Sequence, residues 1–204
     1  MVRRTKAEAA QTRENILDAA EQLFMRYGVG RTSLEQIAKA AELTRGAVYW
    51  HFRNKDDLFD AMLARVRAPM AIRLEKLAEQ GGTLADLRDT CQFALQQLAD
   101  DPHCLNVFTI LFHRTECDNG LARQRAMAQE SLQQLEAFFS HQSMAPSLHP
   151  SLTPALAARA VHAQIAGIFH DWLRDPAGWN MRDKGPVIFE ATLRGLLAAP
   201  TQDL

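Results

Sequence analysis

The chain has 204 residues, enough for one or two domains with a core that needs no disulfide staples. Hydrophobic residues make up 47% and charged residues 23%, which excludes disorder over most of the length, and no stretch approaches the ~18 uncharged apolar residues of a membrane span. The net charge is −1, yet residues 1–55 carry ten Lys/Arg against six Asp/Glu, while the remainder carries thirteen against eighteen. A basic head suited to a polyanion therefore precedes an acidic body. The opening Met1-Val2-Arg3-Arg4-Thr5-Lys6 leads into a charged helix and not an apolar h-region, so no secretory signal is expected and the cytoplasm is the default. Cys91, Cys104 and Cys117 cannot all pair with one another, and in a reducing compartment they read as free thiols.

Ala, Leu, Gln, Glu and Arg dominate, Gly and Pro fall between periodic segments, and no alternating run stands out. The pattern predicts an all-α chain of about nine helices. The first helix spans about 7–27, with Ile16, Leu17, Ala20, Leu23, Phe24 and Tyr27 on one stripe, and ends at Gly28 as a C′ glycine. The second follows Ser33, where Ser33-Leu34-Glu35-Gln36 is a capping box; Leu34, Ile37, Ala38 and Ala41 form its inner face. The third follows the N-cap Thr44 and reads Arg45 to Phe52, with Trp50 and Phe52 expected in the core. The fourth starts after Asn54 and runs to about Gln80, and Pro69 inside it should kink or split it. Further helices are predicted over about 84–99, 104–113, 119–141, 155–174 and 186–199, with a loop at 142–154.

Two short capped helices joined by the tight turn Glu42-Leu43 match a helix-turn-helix whose last helix faces outward. A lone Tyr, Trp or His on a short helix is more often core than contact, and the combination carries the reading. Arg45 can fork onto guanine edges, Gly46 lets backbone approach closely, and Tyr49 and His51 carry donors for phosphates. Lys55 stands where a helix N-terminus offers free N–H groups to a phosphate, the ends capped by Ser33 and Thr44 could do the same, and Arg3, Arg4 and Lys6 form a basic arm. Residues 12–60, from Thr12-Arg13-Glu14-Asn15-Ile16-Leu17 to Thr44-Arg45-Gly46-Ala47-Val48-Tyr49-Trp50-His51-Phe52, resemble the N-terminal domain of TetR-family repressors. The run Thr44–Phe52 is similar to the AcrR branch, whose members control multidrug efflux pumps. Beyond about residue 60 only the helix count and fragments such as Ile110-Leu111-Phe112-His113 carry the likeness. Relatives usually have Gly where Glu42 stands; a left-handed non-glycine there costs about 1 kcal/mol, so a slightly altered turn is expected.

The resemblance implies a DNA-binding domain over 1–56 and a ligand-binding and dimerisation domain over 57–204. It implies a repressor of a multidrug efflux operon, held as a homodimer on pseudo-palindromic operator DNA and released by a hydrophobic small molecule, with no cofactor and no membrane partner. An aromatic stripe at helical spacing is by itself more often plain core than pocket. With the resemblance, the apolar faces of Leu87, Cys91, Ala94, Phe108, Phe112, Leu135, Phe139, Ile165, Ala166 and Phe169, with Val66, become candidate pocket lining, and His113, His162 and Gln164 the polar groups that orient a ligand. Gly167, Ile168, Trp172, Val187, Phe189, Leu193 and Leu196 are too apolar for a solvated C-terminus and become the candidate dimer face.

No catalytic fingerprint appears, so no enzyme is expected. His113 and Cys117 lie one turn apart with Glu116 between them, but no second pair completes a metal site. The competing reading is a redox-responsive regulator that uses a cysteine thiol; buried, inert cysteine is the plainer account.

Overall fold

The computed structural model describes residues 6–115, 117–142, 144 and 148–196. Among these residues there are nine helices and no strand: α1 Lys6–Tyr27, α2 Leu34–Ala40, α3 Arg45–His51, α4 Lys55–Gln80, α5 Leu84–Asp100, α6 Pro102–His113, α7 Cys117–Ser140, α8 Pro154–Arg174 and α9 Met181–Arg194. They form two compact units. One holds the chain up to Arg67 together with His103–Leu121; the other holds Ala68–Pro102 and the chain from Ala122 onward. The first unit thus includes the first half of α4, all but the first residue of α6 and the start of α7.

In the first unit, α1 buries Ile16, Leu17, Ala20 and Phe24 completely, as their 3.6-residue stripe requires. Leu23 is half-buried and Tyr27 is exposed at the end of that stripe, where the helix outruns its packing. Gly28 closes α1 with φ 83 and donates to the Phe24 carbonyl at 2.9 Å. A Cβ there would also meet the Arg114 carbonyl at 3.3 Å, so glycine serves both the left-handed turn and a close approach.

The capping box forms as read: Ser33 Oγ accepts from the Gln36 N–H at 3.2 Å, and Gln36 Oε1 accepts from the Ser33 N–H at 2.7 Å. After α2 the chain turns through a Schellman motif. Leu43 N–H donates to the Ala38 carbonyl at 2.8 Å and Glu42 N–H to Lys39 at 3.2 Å, with Glu42 left-handed at φ 56. The expected change of turn does not occur; the bonds that close the motif outweigh the strain of a side chain at that φ.

α4 is one helix with Pro69 inside it, not two. Loss of a single ladder bond is tolerated where a long helix packs on both sides of it.

In the second unit, Leu87, Leu95, Leu98, Phe138, Phe139, Ala157, Val161, Met181 and Phe189 form the apolar interior. α9 begins five residues before its expected start and ends five before its expected end. Asn180 caps it, accepting from the Asp183 N–H at 3.1 Å. Gly185 there is a packing glycine: its Cβ would meet Leu95 and Met181 side chains at 3.3 Å. The Gly-Pro pair that reads as a breaker thus lies inside the helix.

Glu42→Gly should raise stability by about 1 kcal/mol, because glycine removes the left-handed strain. Urea unfolding at constant m-value checks this.

Candidate nucleic-acid interface and ligand-binding unit

α3 presents the candidate reading surface. Thr44 Oγ1 accepts from the Ala47 N–H at 3.2 Å, which fixes the start of the helix. Val48 and the C-cap Phe52 are buried one turn apart, so the opposite face is outward. Arg45, Gly46 and Tyr49 are exposed on it. Arg45 lies over the Tyr49 ring, 5.3 Å from its centroid, and donates to Tyr49 Oη at 3.3 Å. Gly46 has open space around it: nothing lies nearer a would-be Cβ than Thr44 Oγ1 at 3.9 Å. The protein itself would accept a methyl group there, so a requirement for glycine would have to come from what docks on the helix.

Trp50 is 73% exposed, which corrects its assignment to the core. At 100° per residue it lies on the side of α3 away from Val48, with the His51 ring at its edge, 4.5 Å between centroids. His51 is half-buried and Phe52 is in the core as expected. Lys6 is exposed at the start of α1; Arg3 and Arg4 lie outside the described residues. Lys55 has a use the sequence does not suggest. Its Nζ donates to the Val29 carbonyl at 2.8 Å and the Gly30 carbonyl at 3.2 Å, tying the α1–α2 turn to the start of α4.

A polar cluster that sequence reading missed lies in the same unit. Glu21 on α1 is 3% exposed. Arg65 on α4 donates to Glu21 at 3.1 Å, Asp18 at 2.7 Å and Glu14 at 3.1 Å. From α6, His103 Nδ1 meets Glu21 at 2.9 Å and Asn106 donates to it at 2.8 Å. Glu14, Asp18 and Glu21 fall at i, i+4 and i+7, an acidic stripe visible in the sequence; the partners that face it come from distant segments. The ligating atoms of Asp18, Glu21 and His103 lie within 4.8 Å of one another, but the guanidinium already bonds both carboxylates, so the arrangement is an arginine clamp and not a cation cage. Hydrogen bonding to Glu21 holds the His103 imidazole above its ordinary pKa despite partial burial.

The candidate ligand residues are divided between the units. In the first, Val66 and Phe108 are buried, and Phe112 is half-buried and stacked on Phe108 at 6.2 Å. His113 is exposed at the end of α6, which removes it as a buried orienting group. In the second, Leu87, Cys91, Ala94, Leu135 and Phe139 are buried, and His162, Gln164, Ile165, Ala166 and Phe169 are half-buried along α8. Burial, and then the Arg159 charge, hold the His162 imidazole below its ordinary pKa, so a neutral ring is available to a ligand.

Of the candidate dimer residues, Ile168, Trp172, Phe189, Leu193 and Leu196 are buried within the chain itself. Their apolarity serves the core of the unit, and at no more than 7% exposure they offer little surface to a partner. On α8 and α9, Gly167 and the large apolar residues Leu156, Val187 and Ile188 are exposed.

Burial overturns the redox reading for two of the three thiols. Cys91 and Cys104 are buried, and burial pushes the Cys91 thiol up to about 12, so thiolate is scarce at neutral pH. Glu116 and the Cys117 side chain, which the half metal site needs, lie outside the described residues.

A capped, outward-facing third helix, in a chain that also carries a second helical unit, defines the class of helix-turn-helix DNA-binding regulators. Residues 16–62 match "Bacterial regulatory proteins, tetR family", and residues 82–197 match "MAATS-type transcriptional repressor, C-terminal region". The chain is 33% identical to the HTH-type transcriptional regulator AcrR of Shigella flexneri, over 98% of this chain and 96% of that one. Among solved structures it is similar to NalD, described as the secondary repressor of the MexAB-OprM multidrug efflux pump in Pseudomonas aeruginosa, at 41% identity and TM-score 0.82, covering 96% and 99% of the two chains. It is also similar to SmeT in a complex with triclosan, at 30% identity and TM-score 0.83, covering 94% and 96%. The chain belongs to the TetR family of transcriptional regulators.

Arg45→Ala should weaken operator binding roughly tenfold to a hundredfold and relax base preference at one position; anisotropy titrations on singly substituted operators check this. Lys55→Met should lower stability by about 1 kcal/mol through the lost carbonyl bonds, besides weakening operator and random DNA alike. The Cys91 thiol should stay unreactive to a chromogenic disulfide reagent at pH 8 until denaturant is added.

Proposed function

We propose that this protein is a ligand-released repressor of a multidrug efflux operon in the cytoplasm. The observation that carries the reading is the α3 surface. Arg45, Gly46, Tyr49 and Trp50 face outward from a helix whose start is capped by Thr44 and whose inner side is anchored by Val48 and Phe52. Arg45 meets base edges, Tyr49, His51 and the helix ends at Ser33, Thr44 and Lys55 meet phosphates, and Arg3 and Lys6 extend the contact as an arm.

The protein acts as a homodimer, because a pseudo-palindromic operator needs two reading helices about one DNA turn, ~34 Å, apart. The exposed apolar residues Val187, Ile188 and Leu156, with Gly167 permitting close approach, supply the pairing surface on α8 and α9. The half-buried residues His162, Ile165, Ala166 and Phe169 mark where a hydrophobic molecule is sought, with neutral His162 as its polar contact. Such a molecule releases DNA only if it binds the non-binding arrangement more tightly.

The test is a titration of the purified protein against its own upstream DNA and a scrambled duplex at ~150 mM salt, since phosphate contacts are salt-sensitive. Triclosan is the first probe, because the similar SmeT is described in complex with it. The expected result is a preference for the upstream DNA that triclosan or another hydrophobic antimicrobial weakens. Equal affinity for both duplexes would sink the reading.

A further inference from the structure

The chain passes between its two compact units at 67/68, 102/103 and 121/122. Two of these crossings adjoin the cluster around Glu21. Arg65 stands two residues before the crossing in α4, and His103 is the first residue beyond the crossing that leads into α6. Pro69 has no N–H to give the Arg65 carbonyl, so the α4 ladder is interrupted just past the residue whose side chain clamps α1. Both Arg65 and His103 end on the Glu21 carboxylate, at 3.1 Å and 2.9 Å. Glu21 belongs to α1, against which α2 of the helix-turn-helix packs.

We propose that the Glu21–His103 contact is a proton-operated latch that holds α6 to the helix-turn-helix, and that Glu21 is the positioning residue through which α4 and α6 set operator affinity. The latch rests on the repressor reading above. When the ring carries a proton, a full ion pair joins α6 to α1; a neutral ring keeps at most a weaker hydrogen bond. The His103 side chain is half open to solvent, at 52%, so the proton exchanges freely. Among the charged groups that face it are Glu21 and Asp18 on α1, with Glu14 beyond them, and Arg65 on α4. The carboxylates favour the proton and the guanidinium opposes it, with Glu21 the nearest and strongest influence. The closed latch holds α6 to α1, the helix against which α2 packs; in this proposal protonation therefore favours operator binding and loss of the proton favours release.

The test uses the full chain and its own upstream DNA at fixed ionic strength, with anisotropy read from about pH 5.5 to about 8.5 across the imidazole range. Wild-type affinity should fall about threefold to tenfold as pH rises through the imidazole range. His103→Asn should lack this fall and bind weakly throughout. His103→Arg keeps its charge at every pH and should bind tightly throughout, a rescue that a merely structural role would not give. His51 is common to all three proteins, so the fall assigned to the latch is the part of the wild-type slope that His103→Asn lacks. A wild-type slope that persists in His103→Asn, or a His103→Arg protein no tighter than His103→Asn at high pH, overturns the latch. A wild-type protein that never distinguishes upstream from scrambled DNA overturns the repressor reading, and the latch with it. Should His103→Asn fail to fold, an NMR titration of the His103 ring decides: its pKa should drop in Glu21→Gln, and an unchanged value overturns the proposal.

Discussion

A carboxylate inside an apolar helical unit constrains everything around it. Glu21 is 3% exposed, and an unpaired charge at that depth would cost more than a small domain can spare. Three donors converge on it, from Arg65, His103 and Asn106. Arg65 also donates to Asp18 and Glu14, nearer the start of the same helix. Hydrophobic burial of Ile16, Leu17 and Phe24 would tolerate small rotations of α1. The guanidinium does not, because its planar fork must meet carboxylates at successive turns of one helix. The direction in which the head is held thus comes from the polar cluster, and most of the cohesion from the apolar stripe.

The head itself is assembled from short elements that nucleate poorly alone. α2 and α3 have seven residues each, and each starts on a side-chain cap. Between them, the Schellman turn satisfies the last carbonyls of α2 and sets the crossing of the two helices. Lys55 adds a tie from α4 back to the turn before α2. A reading surface that must keep its shape while meeting DNA is therefore fixed at both ends of each short helix.

What the sequence made legible follows from how local each cause is. The caps at Ser33 and Thr44, the glycine stop at Gly28 and the α1 stripe depend on residues within one or two turns, and they stand where the spacing put them. Trp50 falls outside the core because helical period decides over the general tendency of tryptophan to be buried: Val48 and Phe52 mark the inner face of α3. Start and end of α9 were misread because Gly185-Pro186 looks like a breaker. In the fold, that glycine answers a neighbour, Leu95, that the local sequence cannot reveal. The apolar residues of α8 and α9 showed that these helices bury a face, but not whether against their own chain or another copy. The Glu21 cluster required three segments up to 85 residues apart, and only its acidic stripe was in view.

Trp50 has a consequence for observing this protein. The chain has three tryptophans; Trp172 is buried and Trp179 half-buried in the second unit, while Trp50 stands open on α3. Nature has thus placed an optical reporter on the reading helix, and its emission should come from an aqueous environment at longer wavelength than that of the other two. Anything that covers α3 dries this indole without touching the others, so occupancy of the surface can be followed by the protein's own light, with no label attached.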